Sequence, residues 1–85
     1  MSMAQDLIAA ITNAQRQIDD QMMKLHSYAG EIDKVIVRVE SALSGSSMQY
    51  SRQMLQQLSL TKKQVNDTLN RLQASKDKLT QVRII

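Results

Sequence analysis

The 85-residue chain contains no cysteine, no proline, no phenylalanine and no tryptophan, and it holds only two glycines and two tyrosines. Each shortage removes a class of protein. Without cysteine there is no disulfide framework, no thiolate metal site and no thiol nucleophile. An all-β domain needs turn residues every 8–12 positions, and Gly30 and Gly45 alone do not supply them. No apolar run approaches the roughly 18 residues of a membrane span. The start, Met1 to Asp6, lacks the basic n-region of a secretory signal, so no export by the general pathway is expected.

What remains is a composition suited to helices. Hydrophobic residues make up 42% of the chain, drawn from Leu, Ile, Val, Ala and six methionines. A chain of this length forms one domain at most, spanning 1–85, and buries only roughly 60% of its unfolded surface. In the first half, Leu7, Ile11, Ala14, Ile18, Met22, Leu25, Ala29, Ile32, Ile36, Val39 and Leu43 recur at steps of three and four, the spacing of one long amphipathic helix. In the second half, Leu58, Val65, Leu72 and Leu79 recur every seventh position, with Leu55 and Leu69 three residues ahead of the first and third. Polar residues interrupt this second stripe at Lys62, Lys76 and Arg83, flanked by Thr61, Thr68 and Ser75.

Between the halves lie Leu43, Ser44, Gly45 and Ser46, the turn-like stretch of the chain. Gly45 suits the left-handed residue past a helix end. Ser46 and Gln49 have the spacing of a capping box. The sequence therefore predicts an all-α, antiparallel two-helix hairpin with helices at about 3–43 and 47–84. A fold at 44–47 brings together positions whose numbers sum to about 91, so that Ala29 faces Lys62 and Ala14 faces Lys76, leaving room for lysine stems to cross the seam and end in water. Residues 1–43 carry six acids and four bases, and residues 48–85 two acids and seven bases, so the arms attract.

Catalytic chemistry finds no foothold. His26 is the single histidine, which excludes a histidine metal pair, and its neighbours Met22, Met23, Leu25 and Ala29 place it at the edge of the seam. Asp19-Asp20 and Glu31 with Asp33 read as a solvated face, since adjacent residues on a helix point to different sides. No enzyme activity, cofactor or metal is expected. The net charge of +3 raises nucleic-acid binding, but the basic residues of the second half do not cluster and no stacking aromatic lies among them, so no nucleic-acid partner and no membrane insertion are expected.

A hairpin without Phe or Trp has little core to offset the entropy of ordering its chain. A partner helix pair or a second copy is therefore expected, giving a four-helix bundle. Ile8, Met23, Val35 and Val37 lie on apolar ground that the hairpin partner does not obviously cover, and Gly30 permits close approach of another helix. These five are the expected partner-binding residues. The alternatives are a homo-oligomeric coiled-coil scaffold and a small nucleic-acid-binding regulator.

The bend adds a resemblance. Leu43-Ser44-Gly45, set between two equal helices, resembles the Trp-x-Gly bend of WXG-like proteins of type VII (ESX) secretion and the small helical hairpins that accompany LXG toxins. Gly45 matches the signature and Leu43 stands at the tryptophan position. The resemblance extends over nearly the whole chain in architecture. It implies a non-enzymatic adaptor, chaperone or co-exported partner of a type VII substrate, made in the cytoplasm and carried out with that substrate. The family's Tyr-x-x-x-Asp/Glu export signal does not follow Tyr28 or Tyr50, which implies that the partner provides it.

Overall fold

In the computed structural model of the chain, residues 2–42 and 49–84 are described, and they form two α-helices, α1 (Met3–Ala42) and α2 (Gln49–Ile84). The expected bend residues Leu43, Ser44, Gly45 and Ser46 lie outside the described residues. Ser2 starts α1 as its N-cap: its Oγ accepts a hydrogen bond from the Gln5 amide at 3.2 Å, and its carbonyl accepts one from the Asp6 amide at 3.2 Å. Asp6 in the first turn of α1 and Arg83 in the last turn of α2 carry the charges that the helix dipoles favour.

The helices run antiparallel. Cross-helix contacts pair Gln15 with Thr80, Asp19 with Lys76 and Asp33 with Lys62, so residue numbers rise on one arm as they fall on the other. The molecule is a rod of 67 × 15 × 14 Å with a radius of gyration of 19.4 Å, whereas a compact chain of this length would have about 12 Å. Its length follows from α1 itself, whose 40 residues rise about 60 Å.

One seam holds the arms together. Ile32, Val65 and Leu69 form its buried centre, with Met22, Leu25, Ala29 and Ile36 packed against it, and Ile11 is buried nearer the open end. Among the described residues these four are the buried hydrophobic side chains, and none is less than 2% exposed. The α1 stripe read from the sequence matches this seam from Ile11 to Val39. Leu7 departs from it and is 57% exposed. The ion pairs join positions summing to 95, which would place Leu7 opposite position 88, past the end of α2. Arg83, expected at an interrupted position of the seam, is also exposed, as are the flanking Thr68 and Ser75.

The lysines correct the expected pairing. Lys62 meets Asp33 at 2.6 Å and Lys76 meets Asp19 at 2.7 Å. Their stems do cross the seam, but each ammonium ends on a carboxylate about one turn beyond the expected alanine, because a lysine long enough to leave the seam reaches the nearest anion on the facing helix.

With so few buried groups, each should matter. Ile32→Ala is expected to cost about 2–4 kcal/mol and Val37→Ala, at an exposed site, less than about 0.5 kcal/mol. Urea titration followed by far-UV circular dichroism would check both, and equal losses would contradict this placement of the core.

Candidate protein-docking surface

The polar contacts occupy one side of the seam. Asp19 and Asp33 are fourteen residues apart, as are Lys62 and Lys76. The two ion pairs therefore repeat after two heptads, about 21 Å along the rod. A third polar contact lies toward the open end. Gln15 donates from Nε2 to Thr80 Oγ1 at 2.7 Å and to the Lys76 carbonyl at 3.4 Å, and its Oε1 accepts from Arg83 Nη1 at 3.5 Å. Thr80 Oγ1 donates in turn to the Lys76 carbonyl at 3.1 Å. A partly buried amide is thus used at both ends, which removes the cost of leaving it unpaired.

These contacts were missed in the carboxylate pattern of the sequence. Asp19 and Asp33 belong to the seam edge, not to a solvated face. The signal was present in the matched two-heptad spacings, but choosing it required knowing which edge of each helix faces the other. Lys62 and Lys76, two of the cations that raised nucleic-acid binding, are neutralised by α1.

Beyond the seam, α1 presents apolar residues to solvent along two separate lines. Met23, Gly30 and Val37 follow one another every seven residues, with Met23 70% and Val37 60% exposed. Tyr28 and Val35 share a second line at the same spacing and are also exposed. In an unbroken helix Val35 and Val37 differ by about 200° of rotation, so Val35 does not share a groove with Met23, Gly30 and Val37. The expected five-residue surface is thereby divided. Ile8 is exposed near the start of α1, roughly on the Gly30 side but some 20 Å from Met23. At Gly30, a Cβ would meet nothing within 4 Å, so the packing of the hairpin itself gives no reason for glycine there. His26 is exposed and lies midway between Asp19 and Asp33 along the same edge.

On α2, Gln53, Met54, Gln57 and Leu58 line an open groove of about 330 Å³. Met54, Leu60 and Val82 are exposed. Among the described residues there is no group of three or more His, Cys, Asp or Glu able to hold a metal, and no helix is long and apolar enough to cross a membrane.

Comparison of the chain with protein-family models, with curated proteins and with solved structures finds no match.

The ion pairs have partly exposed members, with side chains 33–51% accessible, so each should contribute no more than about 1 kcal/mol. In a double-mutant cycle, Asp33→Ala and Lys62→Ala are expected to couple by about 0.2–1 kcal/mol, with the coupling shrinking as salt is added. The exchanged pair Asp33→Lys with Lys62→Asp should recover most of it. Chemical denaturation of the four proteins of the cycle and of the exchanged variant would measure this, and a coupling of zero at low salt would remove the pair from the seam.

Proposed function

We propose that this hairpin is a non-enzymatic protein-binding module that works by packing its exposed apolar lines against helices of another protein. The supporting observation is surface area. The chain exposes 6753 Å², while a compact folded protein of its 9.6 kDa mass would expose about 5,100 Å². The excess, about 1,600 Å², is about twice the roughly 800 Å² that one partner contributes to a standard-size protein–protein interface. It is also of the right chemistry, since ten large hydrophobic side chains among the described residues are exposed, four of them between Met23 and Val37 of α1.

The same reading extends to a partner class. The hairpin is proposed to be an adaptor, chaperone or co-exported companion of a type VII secretion substrate, its partner being the helical region of an LXG-type toxin or of another WXG-like protein. Two features support this: two long helices of similar length, and Leu43-Ser44-Gly45 between them. Packing two such hairpins side by side would complete a four-helix bundle and cover apolar surface that a single hairpin leaves wet.

Co-expression with the helical region of a neighbouring exported toxin, followed by size-exclusion chromatography with light scattering, tests the proposal. A co-eluting complex and a higher melting temperature for both components are expected, because a ligand that binds only the folded state stabilises it. Val35→Glu should prevent the complex while leaving the helicity of the isolated hairpin unchanged. A protein that elutes alone in the presence of every co-expressed helical neighbour would overturn the adaptor reading.

A further inference from the structure

The two edges of the seam differ in chemistry. The contacts of Asp19 with Lys76, Asp33 with Lys62 and Gln15 with Thr80 all lie along one edge. The other edge is lined by every seventh residue of α1 from Ala14 to Ala42 and of α2 from Met54 to Val82, and none of these ten residues is charged. Positions flanking a coiled-coil seam in water usually carry Glu or Lys, so a long uncharged flank is a surface suited to being covered. Facing members of the two lines have numbers summing to 96, within one of the sum set by the ion pairs, so Val35 stands level with Thr61 and Tyr28 with Thr68. Together the lines border an uncharged valley about 42 Å long. Tyr28, Val35, Met54 and Val82 are exposed along it, and the open groove at Met54 and Leu58 lies near its Ala42 end. Thr61 and Thr68 each donate their hydroxyl to the carbonyl four residues back at 2.9 Å, so covering them leaves neither donor unpaired.

Charge at the rim selects the occupant. Three residues beyond members of these lines, on the outer shoulders of the valley, stand Lys24 and Arg38 of α1 and Arg71 and Lys78 of α2, all exposed. Among the described residues none of these four is in an ion pair. Asp20 and Asp67 lie one turn before Lys24 and Arg71, on the side of each helix away from the seam. Glu31 is the one acid on the shoulders, and Lys34 holds it at 3.2 Å. We propose that this valley takes a single helix of another protein, apolar on the stripe it buries and acidic on both flanks, completing a three-helix bundle. Packed helices lie about 8–10 Å apart, which leaves room for one helix between their shoulders. A second copy of the chain is the wrong occupant, since it would set this cationic rim against another like itself.

This inference rests on the reading of the hairpin as a protein-binding module and adds to it the face that binds and the charge of the partner. It holds whether or not that partner belongs to type VII secretion.

Two labelled peptides of about 28 residues, the length of the valley, test it. Both carry Leu at the two stripe positions of each heptad, and the flanking positions are Glu in one and Lys in the other. In fluorescence anisotropy with the full chain at low salt, the Glu peptide is expected to bind at least about tenfold more tightly than the Lys peptide, the difference shrinking as salt is added. Thr68→Glu should weaken binding of the Glu peptide at least about tenfold, and Val37→Glu, on the other side of α1, less than about twofold, with circular dichroism checking that both variants keep their helicity. Lys24→Glu combined with Arg71→Glu should reverse the preference toward the Lys peptide. Failure of the Glu peptide to bind, equal binding of the two peptides, an unchanged preference in the double variant, or weakening by Val37→Glu and not by Thr68→Glu would overturn the proposal. The co-expressed partner separates this inference from the adaptor reading: a partner released by Val37→Glu and retained by Thr68→Glu would remove the valley and keep the adaptor.

Discussion

Two helices that touch only each other share a single seam, and that constraint governs the rest of this structure. Each helix can bury one stripe of its surface and no more. Ile32, Val65 and Leu69 are buried because they lie at the middle of that seam, where neighbours close over them on both sides. Toward the open end the cover thins, and Leu7, in phase with the same stripe, is left exposed because α2 does not extend far enough to meet it. A third layer would be needed to bury the flanks.

The seam is apolar enough to hold the arms together and too repetitive to define their alignment. Leucine and valine at heptad spacing pack almost equally well after a shift of seven residues. Polar contacts at its edge distinguish one alignment from the others. Asp19 with Lys76 and Asp33 with Lys62 satisfy the same alignment at two heights, and Gln15 with Thr80 adds a neutral contact toward the open end. Such pairs add little free energy each. Their effect is on specificity, because a slipped hairpin would leave a lysine in the seam without its carboxylate.

What the seam cannot cover is the basis of the proposed function. The exposed lines of α1 run among charged residues, and at the glycine in one of them an added Cβ would meet nothing within 4 Å. A protein that folds with so much apolar surface in water gains most by associating, and the polar edge keeps its arms aligned while it does so. Leu43-Ser44-Gly45, between the two helices in the sequence, carries the proposed likeness to the hairpins of type VII secretion.

The helices were legible from residue spacing, because a helix of 3.6 residues per turn returns every third or fourth residue to the same face, whatever it packs against. From this came the seam stripe of α1 from Ile11 to Val39, the class of fold and the antiparallel arrangement. The site was only half legible. Exposure of Ile8, Met23, Gly30, Val35 and Val37 followed from their absence from the stripe, but their grouping on one surface did not hold, because a list of positions off the stripe does not say which side of the stripe each one occupies. The partners of Lys62 and Lys76 were equally out of reach. Sequence determines what each helix shows on each face through local geometry alone. Which edges meet, at what height, and which carboxylate a lysine finds there are long-range facts, decided only when the two arms lie side by side.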